Sequence, residues 1–111
     1  MEFKHVDEVE GEQAVKGYRR KLIFTSENIM LLYYEAEPNA EFPEHSHPNE
    51  QMGIITGGSG TFTSEGKRFP VKAGSAYFFK ANDKHGLIVS GEGKCTGIDI
   101  FHPPRQDYKR K

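Results

Sequence analysis

Four side chains that offer a neutral lone pair to a cation fall into two short segments. His45, His47 and Gln51 lie in E-H-S-H-P-N-E-Q, and His85 closes G-S-A-Y-F-F-K-A-N-D-K-H. Imidazole nitrogens and an amide oxygen suit a divalent transition metal, with zinc, nickel, iron, manganese and copper all compatible. His45, His47 and Gln51 share one parity, so on an extended chain they project from one face. Glu50 has the opposite parity and is expected to point away. Two histidines two residues apart read, by themselves, as a polar surface pair. The amide, the glycines Gly53, Gly57, Gly58 and Gly60, and His85 shift that reading to a metal site. With Gln51 in place of a carboxylate, a bound cation keeps its full double charge toward the pocket, which favours an anionic ligand.

The elements that must position these groups are short strands separated by turn residues. Tyr18 to Thr25 reads as a strand, Ser26-Glu27-Asn28 as a turn, and Ile29 to Ala36 as a second strand. That second run is apolar on both parities, so both its faces should be covered, one by the barrel interior and one by a second copy of the chain. A homodimer is therefore expected. Glu37 to Ala40 is a turn, and after Gln51 come M-G-I-I-T, T-F-T-S-E, K-R-F-P-V, A-Y-F-F, H-G-L-I-V and K-C-T-G-I-D-I-F, with glycine-rich or polar turns between them. Before Tyr18 an edge strand and a loop are expected, with turns at Gly11 and Gly17; after Phe101 the chain should be irregular. Tyr77-Phe78-Phe79 reads as core, His5 and His102 as solvated, and the terminal K-R-K as a solubilising end. No stretch has a useful helical period, and many short strands at even spacing predict an all-β barrel or double-sheet jelly roll.

Composition narrows the function classes. A chain of 111 residues makes one domain, 1–111, with a barrel core at about 18–102. A formal net charge of -1 predicts neither nucleic-acid nor membrane association. No apolar run approaches the ~18 residues of a membrane span, and M-E-F-K-H-V-D-E-V-E has no signal-peptide core. The single cysteine, Cys95, leaves no intrachain disulfide, so a reducing, cytoplasmic location is expected. Cys95 shares the parity of Asp99 and could lie near the pocket, but no role is assigned to it.

The residues His45, His47, Gln51 and Gly57, followed by Gly74 and His85, resemble the two motifs of the cupin superfamily. Lys80 and Asn82 stand where a proline and a glycine are usual; Asn tolerates a left-handed turn, so the turn should survive. The resemblance runs from about Leu31 to Tyr108 and implies a double-stranded β-helix, a jelly-roll barrel. H-S-H-P-N-E-Q, A-Y-F-F…H-G and D-I-F-H-P-P-R-Q-D-Y further resemble the KdgF-type cupins of pectin and alginate breakdown. Those proteins open the ring form of 4,5-unsaturated uronate monosaccharides to a linear keto sugar acid. In them the Asp, Phe and Arg of the terminal motif line the pocket mouth, which by position implies catalytic roles for Asp99, Phe101 and Arg105. Asp99 also reads as a structural carboxylate, and Arg105 as a surface ion-pair partner.

The expected partner is thus a small anionic substrate, and the expected activity a metal-dependent sugar-acid isomerase or tautomerase. Two other classes fit the same residues: a metal-dependent dioxygenase, and a non-catalytic ligand-binding cupin with a structural metal.

Overall fold

A computed structural model describes residues 1–108; the K-R-K segment lies outside the described residues. Ten strands follow in order: β1 (Glu12–Val15), β2 (Tyr18–Thr25), β3 (Met30–Ala36), β4 (Glu41–His45), β5 (Glu50–Gly57), β6 (Ser59–Ser64), β7 (Lys67–Lys72), β8 (Ala76–Phe79), β9 (His85–Ile88) and β10 (Cys95–His102). They form two antiparallel sheets, ordered β1-β2-β3-β10-β5-β8 and β4-β9-β6-β7. The sheets pack face to face as a double-stranded β-helix. Short 3₁₀ turns at Val6–Glu8 and Gln106–Tyr108 are the only helical segments among the described residues. None is long and apolar enough to cross a membrane.

The turn residues do what their chemistry allows. Asn39 and Asn82 adopt φ of 72° and 70°, left-handed values that asparagine tolerates. Gly17 turns the β1–β2 hairpin, whereas Gly11 only precedes it. The tail departs from expectation: β10 runs on to His102, and the chain then winds into the Gln106–Tyr108 turn instead of staying irregular.

Between the sheets lies a core of Tyr34, Ala36, Ala40, Ile55, Phe62, Leu87, Val89 and Cys95. A smaller cluster of Met30, Leu32 and Phe101 fills the other end, with Leu22 and Tyr108 against it. Cys95 is fully buried in the first cluster, and burial pushes its thiol pKa up. It is a packing residue.

On β3, Met30, Leu32, Tyr34 and Ala36 are buried while Leu31, Tyr33 and Glu35 are half-exposed. The barrel interior covers one face of β3, as its apolar parity predicts, and within a single chain the other face lies on the outside of the sheet. The register aligns two rows across the outer face of the larger sheet. One is Phe24, Leu31, Ile100, Met52 and Phe78; the other is Tyr33, Ile98, Ile54 and Ala76. Ile29, Met52, Ile54, Phe78 and Ile100 remain substantially exposed.

Phe62 and Phe69 face each other across the β6–β7 ladder, yet Phe62 is 7% exposed and Phe69 50%. Phe62→Ala should cost about 3–5 kcal/mol and Phe69→Ala about 1 kcal/mol or less, read from urea denaturation. Equal costs would contradict this packing.

Candidate functional site

His45 ends β4 and His85 begins β9, and the two pair directly across that ladder. Their rings are 4.5 Å apart. His47 sits in the loop between β4 and β5, so the three histidines are not drawn from strand faces alone. They come instead from two hydrogen-bonded neighbours and a loop. The loop is pinned at both ends: Asn82 N–H donates to the His47 carbonyl at 2.7 Å, and Asn49 Nδ2 donates to the Pro103 carbonyl at 2.6 Å. Gln51 projects inward from β5, and Glu50 beside it is exposed.

Each imidazole is oriented the same way. The Nδ1 atoms of His45, His47 and His85 lie 3.2, 3.1 and 3.0 Å from the carbonyls of Pro43, Asn49 and Asp83. A carbonyl only accepts, so at His45 and His85 Nδ1 carries the proton and the lone pair is left on Nε2. At His47 both ring nitrogens face acceptor oxygens, and with Nδ1 protonated its Nε2 and the Gln51 oxygen converge as they would on a shared cation. Metal-ligating histidines are held by this kind of outer contact. The ligand atoms of the three histidines lie within 4.8 Å of one another. Gln51 Oε1 lies 3.1 Å from His47 Nε2. His85 Nε2 is buried without a hydrogen-bond partner. An orphaned acceptor among converging lone pairs fits a cation, and these residues could hold one.

Burial lowers the pKa of all three histidines, that of His85 to about 4, with neighbouring histidines and Arg105 adding to the effect on His85. They are therefore neutral at pH 7 and need shed no proton to bind a metal. The His85 ring also stacks on Phe79 at 4.1 Å and 6°.

β10 brings the terminal motif to the same place. Asp99 pairs with Gly53 and Phe101 with Gln51, so both face inward. Asp99 is 5% exposed. Burial raises its pKa to about 6 against opposing hydrogen bonds from Tyr77 and Gln51 and the charge of Arg105. Phe101 packs edge-on to His47. Beyond β10 the tail folds back so that Arg105 lies 4.3 Å from the Tyr108 ring centroid and 5.6 Å from that of Phe101. Arg105 Nη2 pairs with Asp107, while its Nη1 is buried without a partner. The cavity is lined by all of His45, Gln51, His85, Asp99, Phe101 and Arg105.

Sequence reasoning missed Tyr18, Arg20, Tyr34 and Tyr108, which also line the cavity, and took Tyr77 only as core. Arg20 lies 3.8 Å above the Tyr108 ring, on which Arg105 also stacks. Tyr108 stood within the terminal motif; nothing in the local sequence singled out the others.

The titrations of His85 and Asp99 act on stability with opposite sign. The unfolded chain protonates His85 near 6.5 and the folded chain only near 4, so this group's stability is lost as pH falls through that window. Asp99 protonates first in the folded chain, near 6 rather than 3.8, and so offsets the loss. Chelator-treated Asp99→Asn should lose stability more steeply than wild type from pH 6.5 to 4, and His85→Gln less steeply, in urea midpoints at each pH.

The comparisons with known proteins agree with this architecture. The cupin domain family model matches residues 32–101. Over 103 residues, 92% of this chain and 93% of the relative, the sequence is 31% identical to the pectin degradation protein KdgF of Dickeya dadantii. It is 42% identical over 65 residues to the H2HPP isomerase of Bacillus subtilis, covering 59% of this chain and 28% of that protein. The solved structure of KdgF from Halomonas sp. superposes with a TM-score of 0.88 at 24% identity, covering 96% of this chain and 99% of that one, a likeness of fold. With its two-sheet barrel, histidine cluster and whole-length relative, the chain belongs to the cupin family.

Proposed function

We propose that this protein is a metal-dependent cupin that converts unsaturated uronate monosaccharides to linear keto sugar acids. The observation that carries the reading is the meeting, in one cavity, of His45 and His85 from the three-histidine cluster, the Asp99 carboxyl and the unpartnered Arg105 Nη1. Near-full-length similarity to a pectin degradation protein supports the substrate class, and similarity to an isomerase supports the reaction type.

His45, His47, Gln51 and His85 would hold a divalent transition metal: zinc, nickel, iron, manganese or copper. When bound, the ion supplies positive charge that polarises a substrate oxygen. Arg105 offers its free N–H groups to the uronate carboxylate, a planar match that a lysine could not reproduce. Ring opening breaks the bond from C1 to the ring oxygen and moves the C1 hydroxyl proton to C4, so no oxidant or co-reactant is needed. Asp99 moves that proton. A carboxyl raised to about 6 is suited to both taking and giving a proton near neutral pH. Phe101 walls the cavity beside His47 and helps keep water from the reacting atoms.

The partner on the outer sheet face is a second copy of the chain, seated on the two apolar rows. Ile54→Glu combined with Ile100→Glu should turn a dimer into a monomer in sedimentation equilibrium; a monomeric wild type removes this reading.

Elemental analysis of the purified protein should find a divalent transition metal that His85→Ala loses. On a panel of unsaturated uronates, Asp99→Asn should lower kcat roughly 10²–10⁴-fold. Arg105→Ala should chiefly raise KM, by about 10–100-fold. Oxygen uptake during turnover, or no turnover of any uronate, would overturn the assignment, and a loss under tenfold would remove Asp99 from proton transfer.

A further inference from the structure

Gln51 poses a problem that a histidine or carboxylate would not. Its amide has an oxygen end and a nitrogen end of nearly the same shape, and only the oxygen can bind a cation. A 180° turn of the amide would present N–H groups to the histidine cluster and repel the ion. Something must choose the end.

Asp99 is placed to do so. It faces inward from β10 two residue pairs along from Gln51, the diagonal neighbour on the same face of the β5–β10 ladder. Gln51 Oε1 lies 3.1 Å from His47 Nε2, which leaves the amide nitrogen as the end for Asp99, whose ionised carboxylate only accepts.

The carboxylate is itself held. Tyr77 Oη, from β8, donates to Asp99 Oδ1 at 2.5 Å. Tyr34 Oη, from β3, lies 2.8 Å from Tyr77 Oη. Since the Tyr77 proton goes to the carboxylate, Tyr34 must donate to Tyr77. The chain of bonds therefore has one direction, from Tyr34 through Tyr77 to Asp99.

Two glycines make room for it. A Cβ on Gly53 of β5 would come within 2.5 Å of the Tyr77 hydroxyl, and one on Gly97 of β10 would overlap the Tyr34 hydroxyl. Glycine inside a strand weakens it, and here each marks a place where a phenol reaches across.

We infer that Tyr77, backed by Tyr34, is a positioning residue that fixes Asp99 and through it turns the Gln51 amide oxygen toward the three histidines. The inference rests on the reading that Gln51 and those histidines hold a metal. It adds to Asp99 a role in metal retention distinct from proton transfer. A purely structural tyrosine would contribute stability without touching metal affinity.

The test is Tyr77→Phe, which keeps the ring and removes the hydroxyl. Zinc affinity, measured by competition with a chelator, should fall roughly 10- to 100-fold, as loss of an outer-shell contact typically costs. Tyr34→Phe should weaken it in the same direction by less, and it serves as the test if Tyr77→Phe does not fold. A second readout needs no metal. In the chelator-treated protein the Gln51 side-chain amide signals, assigned by their loss in Gln51→Glu, should exchange slowly with solvent in wild type and faster in Tyr77→Phe. Unchanged zinc affinity in the variants of a zinc-binding wild type, or unchanged amide exchange, overturns the positioning role and leaves the metal centre standing. A wild type that takes up no zinc, nickel or manganese overturns the metal centre and this role together.

Discussion

The structure depends on where three imidazole protons go. Each Nδ1–H is spent on a backbone carbonyl within the local turn or strand end, at Pro43, Asn49 and Asp83. That leaves three lone pairs facing one another, those of His47 and His85 buried, an arrangement an apolar core would not assemble on its own account. Burial also keeps the rings uncharged at neutral pH. The cluster is thus poised for a positive partner by the same contacts that fix its shape.

The two sheets divide the work. The smaller one supplies His45 and His85 as direct neighbours on β4 and β9, and the larger supplies Gln51 and Asp99 from β5 and β10. The polar cluster therefore sits in the seam between layers, where either sheet alone would leave these groups half wet. The tail completes the seam: Tyr108 lies between the guanidinium groups of Arg20 and Arg105, so positive charge is held at the cavity by aromatic faces as much as by acids.

Much of this was legible in the chain itself. Residue types and the glycine and asparagine turns disclosed the strands almost to the residue, and His45, His47, Gln51 and His85 stood out as neutral donors. The route by which they converge did not. Parity placed His45 and His47 on one strand face, but β4 ends at His45 and the ladder is irregular between Phe42 and His45, so parity carries no information at His47. Tyr34 and Tyr77 are 43 residues apart, and nothing local marks their hydroxyls as meeting. Such pairs depend on strand order, which short-range patterns do not encode. Cys95 shows the same limit: sharing a strand face with Asp99 says which side of the sheet it lies on, not what it packs against.

β10 alternates two duties along its length. Asp99 and Phe101 turn toward the cavity, while Ile98 and Ile100 lie on the opposite side of the sheet. Side chains on a strand repeat every second residue, so a slip of a single position would export the carboxylate to solvent and import an isoleucine among the histidines. The sheet could survive that slip with its ladder intact and its chemistry erased. Insertions and deletions within this segment should therefore be tolerated far less than substitutions, and changes of length in this protein belong in its turns.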